Sequence, residues 1–593
     1  MADLRPLFVK NAALFRQKHL VIGRDTLDEA FASLGEAELA DLTLGVETGK
    51  WLYLGKLMHS ERNAEREAQR AAENLSGAQA LVAVSTGAGF LFGQLNRALG
   101  ETLLIEPSAY CLVAFILAGK FTDYGGKITL FADDLSRSDA LEEILPWLQG
   151  KNLKKTLIYC HPPVFVAGKA LYTRAFERVT ALFEKRSVNQ ATIVKFQQLW
   201  NKNILLNSRI IRRSATLNDL LQQTPPAAIV LAGAGPSLTQ SIPDLIALRD
   251  RFVLFAADTA LIPLNRAGVF PDFVFSADPQ WVNHFFVQSP YAARSQWLMD
   301  PVVCPAIPHF LAERGAVTAF WNNVFLSDTA FRSVDRGDVA HGGSVSTNAF
   351  DIAVRWLLRR DATTEPGRLI LVGQDLSFPN RQAHCAGAAL ESAVFAGNHR
   401  LSTMEKHNYR QMTAMPVLWE KGIRDKVRTN GKLRIFLDWF ASRAADHAQD
   451  RITLINASVD GVLIRGFRHT GLGEALSGLP AKQQTAWLVA PTSGTTDGKT
   501  RPLMADLDEL VKISAENARL AANKSPDQAL RQRLDRNDEK LRNLGLAKDI
   551  AGLNAQAIIL KITEQGEDSD AVQFYAAMAR AGREVRHWLG KAL

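Results

Sequence analysis

The stretch from Ala228 to Leu248 limits what this chain can become more than any other. An apolar strand (Ile229, Val230, Leu231) stops at the turn Gly233-Ala234-Gly235-Pro236-Ser237, and an amphipathic helix follows. A strand that ends in φ-permissive glycines before a helix predicts a parallel α/β unit. The small turn lets a ligand approach the backbone, and the helix points its first N–H groups and positive dipole end at it. An anion, above all a phosphate ester, suits that place. Ser237 is placed to add a hydroxyl or cap the helix, and Pro236 suits a first-turn position that needs no N–H. A Gly-x-Gly after a strand is also an ordinary tight turn, so the segments downstream have to decide.

Those segments continue the alternation. Strands are expected at 229–232, 252–256, 273–277, 297–299, 319–322 and 369–372, with helical stretches between them. This predicts a parallel sheet wrapped by helices, with ligands gathering at the carboxyl ends of the strands. Asp258, Asp278 and the pair Gln374-Asp375 fall at such ends, and His341-Gly342-Gly343-Ser344 is a second small-residue turn opening a helix. Singly, Asp258 or Asp375 reads equally well as a helix cap, and Asp272 and Asp278 as turn residues beside proline. Together, two glycine turns and three carboxylates on one rim point to a binding site.

Upstream, residues 1 to 75 read as helical, most clearly over 60–75, and a first α/β unit follows. Its strand 81–84 runs into the glycine turn 85–93, and strand 102–105 ends at Glu106. This spacing is that of a dinucleotide or S-adenosylmethionine fingerprint, with the acidic residue for a ribose. Phe90, Leu91 and Phe92 would pack rather than bind, so the turn reads as a structural remnant of a nucleotide fold. Strands at 127–131 and 156–160 would extend the same sheet. A helical connector, 170–222, leads to Pro225-Pro226, which breaks the chain before the central strand. Beyond Pro480, past a loop at 491–498, the residues are rich in Ala, Leu, Lys, Glu and Arg at helical spacing. The expected division is an N-terminal Rossmann-like α/β domain (1–200), a central parallel-sheet domain (201–479) and a C-terminal helical domain (480–593).

At 593 residues the chain exceeds what one core serves. Its 47% hydrophobic and 22% charged content is that of an ordinary globular protein. A net charge of +8 spread along the chain, clustered only at 209–213 and 359–360, argues against nucleic acid as a partner. No continuous apolar stretch suits a signal peptide or a membrane span, so a cytoplasmic setting is expected. The four cysteines, Cys111, Cys160, Cys304 and Cys385, lie too far apart for a zinc module and read as buried thiols.

The series Leu231-Ala-Gly-Ala-Gly-Pro-Ser-Leu238, Ala257-Asp258-Thr-Ala-Leu261, Gly268-Val-Phe-Pro271-Asp272, Ala277-Asp278-Pro279, Gly342-Gly343-Ser344-Val345 and Gly373-Gln374-Asp375-Leu376 resembles the motility accessory factor (Maf) family of bacterial flagellin glycosyltransferases. The wider group includes proteins similar to archaeal hydroxymethylpterin diphosphokinases. Val427-Arg-Thr-Asn-Gly431 and the segment 455–466 are similar to the family's closing segments, with Asp460-Gly461 where Gly-Gly is usual. The resemblance implies a central domain like that of bacterial sialyltransferases. It also implies transfer of a nonulosonic acid, of pseudaminic, legionaminic or sialic type, from its CMP conjugate to Ser or Thr of flagellin. No metal and no cofactor beyond the CMP-sugar donor are implied. The partners are then flagellin and the CMP-nonulosonic acid, with no nucleic acid and no membrane, and homo-oligomerisation is left open.

Carried over by motif, Gly233, Gly235, Pro236 and Ser237 would hold the cytidine phosphate, and Gly343 and Ser344 would close from across the sheet. Asp258 and Asp278 would line the donor site, and Gln374 and Asp375 would form the strand-end motif of the catalytic centre. The reaction needs a base for the acceptor hydroxyl and a positive group for the leaving phosphate. His384 is the first candidate base, with His407 and then His341 behind it. Arg381, Arg400 and Arg410 are candidates for the phosphate or the sugar carboxylate. Two other classes stay open: a Mg²⁺-dependent diphosphokinase using Asp258, Asp278 and Asp375, and a non-catalytic flagellin-binding assembly factor.

Overall fold

The computed structural model describes residues 3–22, 27–75, 77–95, 99, 101–133, 140–148, 155–325, 328, 334–389, 391, 403–482, 500–523, 528–563 and 570–592. It divides into two compact units, Met1–Ile193 and Val194–Leu593. The boundary falls inside one long helix, Lys169–Ile211.

In the first unit, strands β1 (Leu20–Ile22), β2 (Ala80–Val84), β3 (Glu101–Glu106), β4 (Lys127–Ala132) and β5 (Thr156–Cys160) form an all-parallel sheet in the order β1-β4-β3-β2-β5. Every residue of β2 is buried, as a parallel strand covered on both faces requires. β1 lies inside the stretch expected to be helical, because a three-residue edge strand with no buried position gives no periodic signal. The expected glycine turn is present, with positive φ at Ser85, Gly87 and Gly89, but it opens a 3-10 turn, Phe90–Gly93, instead of an α-helix. The turn is also filled. The Ala88 N–H donates to His59 Nε2 at 2.9 Å, and a Cβ on Gly87 would lie 2.7 Å from that same nitrogen.

The second unit carries a nine-stranded sheet of parallel pairs. Its strands are β6 (Ala215–Thr216), β7 (Ala228–Ala232), β8 (Val253–Ala257), β9 (Phe273–Ser276), β10 (Gln296–Met299), β11 (Thr318–Phe320), β12 (Gly367–Val372), β15 (Ile452–Asn456) and β16 (Arg468–His469). A separate antiparallel hairpin, β13 (Val417–Lys421) and β14 (Lys426–Asn430), precedes β15. The order across the sheet is β16-β15-β12-β7-β8-β9-β10-β11-β6. From β7 the chain steps outward through β8 to β11, then returns to lay β12 on the other side of β7. That reversal between β7 and β12 is the switch point at which open α/β sheets gather ligands.

The last four helices are Thr500–Ala521, Gln528–Asn543, Gly545–Thr563 and Asp570–Ala592. Where the sequence suggested a separate C-terminal domain, these helices share the compact unit of the central sheet. Leu205 of the long helix packs into their core with Leu507, Leu510, Ile550 and Val585, and Gln198 donates to Glu584 at 2.9 Å. The 491–498 loop lies outside the described residues. Among the described residues, no helix is long and apolar enough to cross a membrane.

Candidate functional site

The two strand ends at the switch point lock together through their backbones. The Gly233 N–H donates to Val372 O at 2.9 Å and the Gly235 N–H to Gly373 O at 2.8 Å. A Cβ on Gly233 would lie 2.7 Å from both Gln374 Oε1 and Gly373 O, and one on Gly235 would overlap Asp375 Oδ2. Gly373, at φ +61°, has Gly233 O where its own Cβ would be. The expectation placed a phosphate at Gly233 and Gly235; in the structure the N–H groups of both glycines bond the neighbouring strand end. The glycines are needed because the chain's own neighbouring strand comes this close.

A carboxylate of the chain itself stands at the N-cap of helix α1 (Leu238–Ala247). The Ser237 N–H donates to Asp375 Oδ2 at 3.0 Å. Pro236 stands in the turn before the cap, not in the first helical turn. Ser237 is the N-cap residue, yet its hydroxyl makes no capping bond. Ser237 Oγ and Asp375 Oδ1 are both buried with no partner at full hydrogen-bond geometry, the Ser237 hydroxyl facing the Asp375 carboxylate only loosely. Leaving such atoms unpaired costs about 1–3 kcal/mol each, so they mark a place where a hydroxyl or water is wanted. Beside a carboxylate, a hydroxyl such as that of a ribose fits better than a second anion. Burial raises Asp375 to about 6, the nearby Ser237 hydroxyl and N–H pull it down, and Asp460 adds a further upward push.

The flanking segments fix this carboxylate. The Gln374 N–H donates to Ser458 Oγ at 2.9 Å, and the Val462 N–H to Asp375 O at 2.9 Å. Leu376 takes φ +51° directly after Asp375, with its carbonyl held by Thr429 Oγ1 at 2.8 Å. A non-glycine residue at such φ costs about 1–3 kcal/mol and persists only where its surroundings enforce it. Asp460, standing where Gly-Gly was expected, accepts from Gln240 of α1 at 2.6 Å and pairs with Arg424 at 3.3 Å.

The Cys385 N–H donates to Ala234 O at 2.9 Å, which stitches the His384 loop onto the glycine turn. His384 feels the charges of His407, on helix α4 (Met404–Thr413), and Lys432, on helix α5 (Gly431–Asp446). Burial, then the charges of His407 and Lys432, lower its pKa below 6.5, so the imidazole is neutral at pH 7. Arg381 and Arg410 are exposed, and Arg400 lies outside the described residues.

The second glycine turn is tied to the same helix. A Cβ on Gly343 (φ +88°) would lie 3.2 Å from Phe436, and one on Gly342 2.6 Å from Trp439, both on α5. Phe436 follows Lys432 by four residues, roughly 6 Å along the helix axis. The Ser344 hydroxyl caps helix α3 (Val345–Leu357), accepting from the Thr347 N–H at 3.3 Å. The Gly342 and Ser344 N–H groups turn to Thr347 Oγ1 at 3.1 and 3.3 Å. The expected ligand contact at Ser344 is thus, in this structure, a helix cap. His341 is exposed and hydrogen-bonds Asn348 at 3.1 Å.

Asp258 opens helix α2 (Asp258–Arg266) with Oδ1 accepting from the Thr259 N–H and Oδ2 from Ser276 Oγ, both at 2.7 Å. Complete burial raises it to about 6. Asp278 accepts from the Gln280 N–H at 2.9 Å, as a turn residue does. Asp272 is structural, holding Arg249 at 2.9 Å and Lys482 at 3.0 Å. One strand-end carboxylate escaped the sequence reading. Asp300, after β10, accepts from Trp321 Nε1 at 3.0 Å and Asn323 Nδ2 at 2.7 Å, and burial raises its pKa against the opposing pull of His341 and these hydrogen bonds. Its signal was the same as that of Asp278, an Asp-Pro closing an apolar run.

Residues 202–381 match the family described as 6-hydroxymethylpterin diphosphokinase MptE-like. Two uncharacterised proteins of Treponema pallidum (strain Nichols) are similar, one 40% identical over 92 residues and one 27% identical over 165 residues. These matches take in 15% and 26% of this chain and 42% and 39% of the two relatives, so the chain spans about two fifths of each. Among solved structures, a MAf glycosyltransferase from Magnetospirillum magneticum AMB-1 aligns over 93% of this chain and 87% of its own, with 12% identity and a TM-score of 0.46.

Proposed function

We propose that this protein is a glycosyltransferase that moves a nonulosonic acid from its CMP conjugate to a Ser or Thr hydroxyl of flagellin in the cytoplasm, in support of flagellar assembly and motility. The observation that carries the reading is the stitch from Cys385 to Ala234. It holds the loop that carries His384, whose pKa burial lowers, against a turn whose two buried polar atoms, Ser237 Oγ and Asp375 Oδ1, have no other protein partner. The ordered motif series supports the same reading.

In this reading Ser237 Oγ and Asp375 Oδ1 hold hydroxyls of the donor. The acceptor hydroxyl attacks the anomeric carbon, the bond from that carbon to the CMP oxygen breaks, and CMP leaves as the anion. His384 takes the acceptor proton, and Lys432 offsets the charge that grows on the leaving phosphate. No metal enters these steps, because a side-chain cation meets that need. The test is the intact mass of flagellin produced with the activated sugar and either the wild type, Ser237→Ala or His384→Ala. One sugar mass or more should appear with the wild type alone, and an unmodified wild-type sample would sink the proposal.

A second reading follows from the description of the family matched over 202–381, a diphosphokinase. It needs Asp258, Asp278 and Asp375 to share a Mg²⁺ ion, yet each has a different partner: Ser276, Gln280 and Ser237. CMP binding that survives a chelator favours the transferase, whereas ATP binding that requires Mg²⁺ favours the kinase. Flagellin binding without sugar turnover would instead mark an assembly factor.

A further inference from the structure

The hairpin of β13 and β14 has one face committed to the site and one face free. On the committed side, Thr429 holds Leu376 O, the Phe378 N–H donates to Arg428 O at 2.8 Å, and Glu420 pairs with Arg434 of α5 at 3.0 Å. The other face alternates with it along the strand, as the period of two requires. Val417, Trp419 and Lys421 are exposed there, and Met415 continues the stripe one step before the strand. Trp419 is 60% exposed, a large apolar area to leave in water.

The cross-strand register adds a second, independent fact. Trp419 stands opposite Arg428, whose guanidinium lies 5.0 Å from the indole centre, and Lys421 stands opposite Lys426. Like charges directly opposite each other weaken an antiparallel pair, and a two-stranded hairpin is marginal on its own. A face that keeps Lys421, Lys426 and Arg428 around an exposed tryptophan is built for an anionic partner with apolar side chains. The hairpin also adjoins the loop of the candidate base, because β14 holds Phe378, six residues before His384, and Lys432, two residues past β14, acts on His384 through its charge.

We propose that this hairpin face is the docking platform for the protein acceptor, and that the acceptor presents to it a segment combining acidic and apolar side chains. This rests on the glycosyltransferase reading for the identity of the acceptor. The apolar stripe favours a polypeptide over the hydrophilic sugar donor, and the adjoining base favours the acceptor over a membrane surface.

Purified flagellin is the probe, with Trp419→Ala and Lys421→Glu in the full-length protein. Lys421→Glu turns the Lys–Lys pair into an opposite-charge pair, so its melting temperature should hold or rise while flagellin binding weakens about five- to tenfold. Trp419→Ala should weaken binding about tenfold or more, as loss of a central aromatic anchor does. His384→Ala is expected to bind flagellin like the wild type while losing transfer, which separates docking from chemistry. Flagellin bound through the hairpin without any sugar transfer would retire the transferase and leave the platform standing. Equal flagellin affinity in wild type and both variants, no flagellin binding by the wild type, or loss in the variants of binding to anionic phospholipid vesicles instead of flagellin would each overturn the platform.

Discussion

The Ser237 amide donates to Asp375 Oδ2 at 3.0 Å across 138 residues of chain, placing a carboxylate of the protein where a ligand's anion was expected. The charge there complements the helix N-terminus, and in the proposed reaction the neighbouring oxygen is the one that holds a donor hydroxyl. Asp375→Asn keeps one acceptor for the amide and loses the charge. Its stability should stay within about 1 kcal/mol of the wild type, a usual size for a cap change, while sugar transfer is lost. Melting temperature together with flagellin mass decides it, and an active Asp375→Asn would remove the carboxylate from the mechanism.

Gly235→Ala drives a methyl group into Asp375 Oδ2 and to 2.6 Å from Gly373 O. The expected loss is about 2 kcal/mol or more, because two backbones would have to separate. Gly473→Ala is the control, lying in a helix with nothing within 4 Å, and should gain up to about 1 kcal/mol. Urea midpoints of the two variants should move in opposite directions.

Lys432→Ala tests the electrostatics of the base. His384 is held below 6.5 by burial first, then by His407 and Lys432. Removing a neighbouring positive charge raises the imidazole pKa, so the acid limb of the transfer rate should shift to higher pH. A pH–rate profile with an unmoved acid limb would mean that His384 is not the group being titrated.

Asp258 supplies a stability prediction with a definite sign. Its folded pKa of about 6 lies above the ordinary 3.8, so the folded protein holds the proton more tightly than the unfolded chain does. Stability from this group is complete below about pH 4 and is lost as pH rises to about 6, with a limit on the order of 3 kcal/mol. Asp258→Asn lacks that proton and should lack this part of the slope. Denaturation at pH 4 and pH 7 compares the two proteins, and parallel slopes would contradict the assignment.

Ser344→Ala removes a helix cap and should lower stability by about 1 kcal/mol, with Ser344→Asn recovering most of it. If capping is all that Ser344 does, CMP affinity will follow neither change. A CMP affinity lost in both variants would restore the hydroxyl to the ligand.

The strands at the centre of the site were legible because each is a short apolar run closed by glycine or a carboxylate. β7, β8 and β9 are buried at every position, so nothing but an inner parallel strand suits them. The two-residue edge strands β6 and β16 left no such trace, and the β13–β14 hairpin, half exposed and rich in charge, reads as loop until its partner strand is seen. The strand-end acids were visible as candidates, but their work was not. Asp258 reads as a helix cap and Asp278 as a turn residue beside Pro279, and the structure adds what the sequence could not, that Ser276 approaches Asp258 while Asp278 holds only the Gln280 amide of its own turn.

The sequence by itself determined the alternating α/β character of the chain, the glycine turn after β7 and the polar residues waiting at the strand ends, since these are set within windows of a few residues. The tertiary structure decided that the glycines serve a neighbouring strand, that Asp375 accepts from the Ser237 N–H at the helix N-cap, and that Cys385, next to His384, is pinned to Ala234. The reason is physical: such contacts depend on β12 crossing back beside β7, and strand order is fixed by the packing of the whole sheet rather than by any local run of residues.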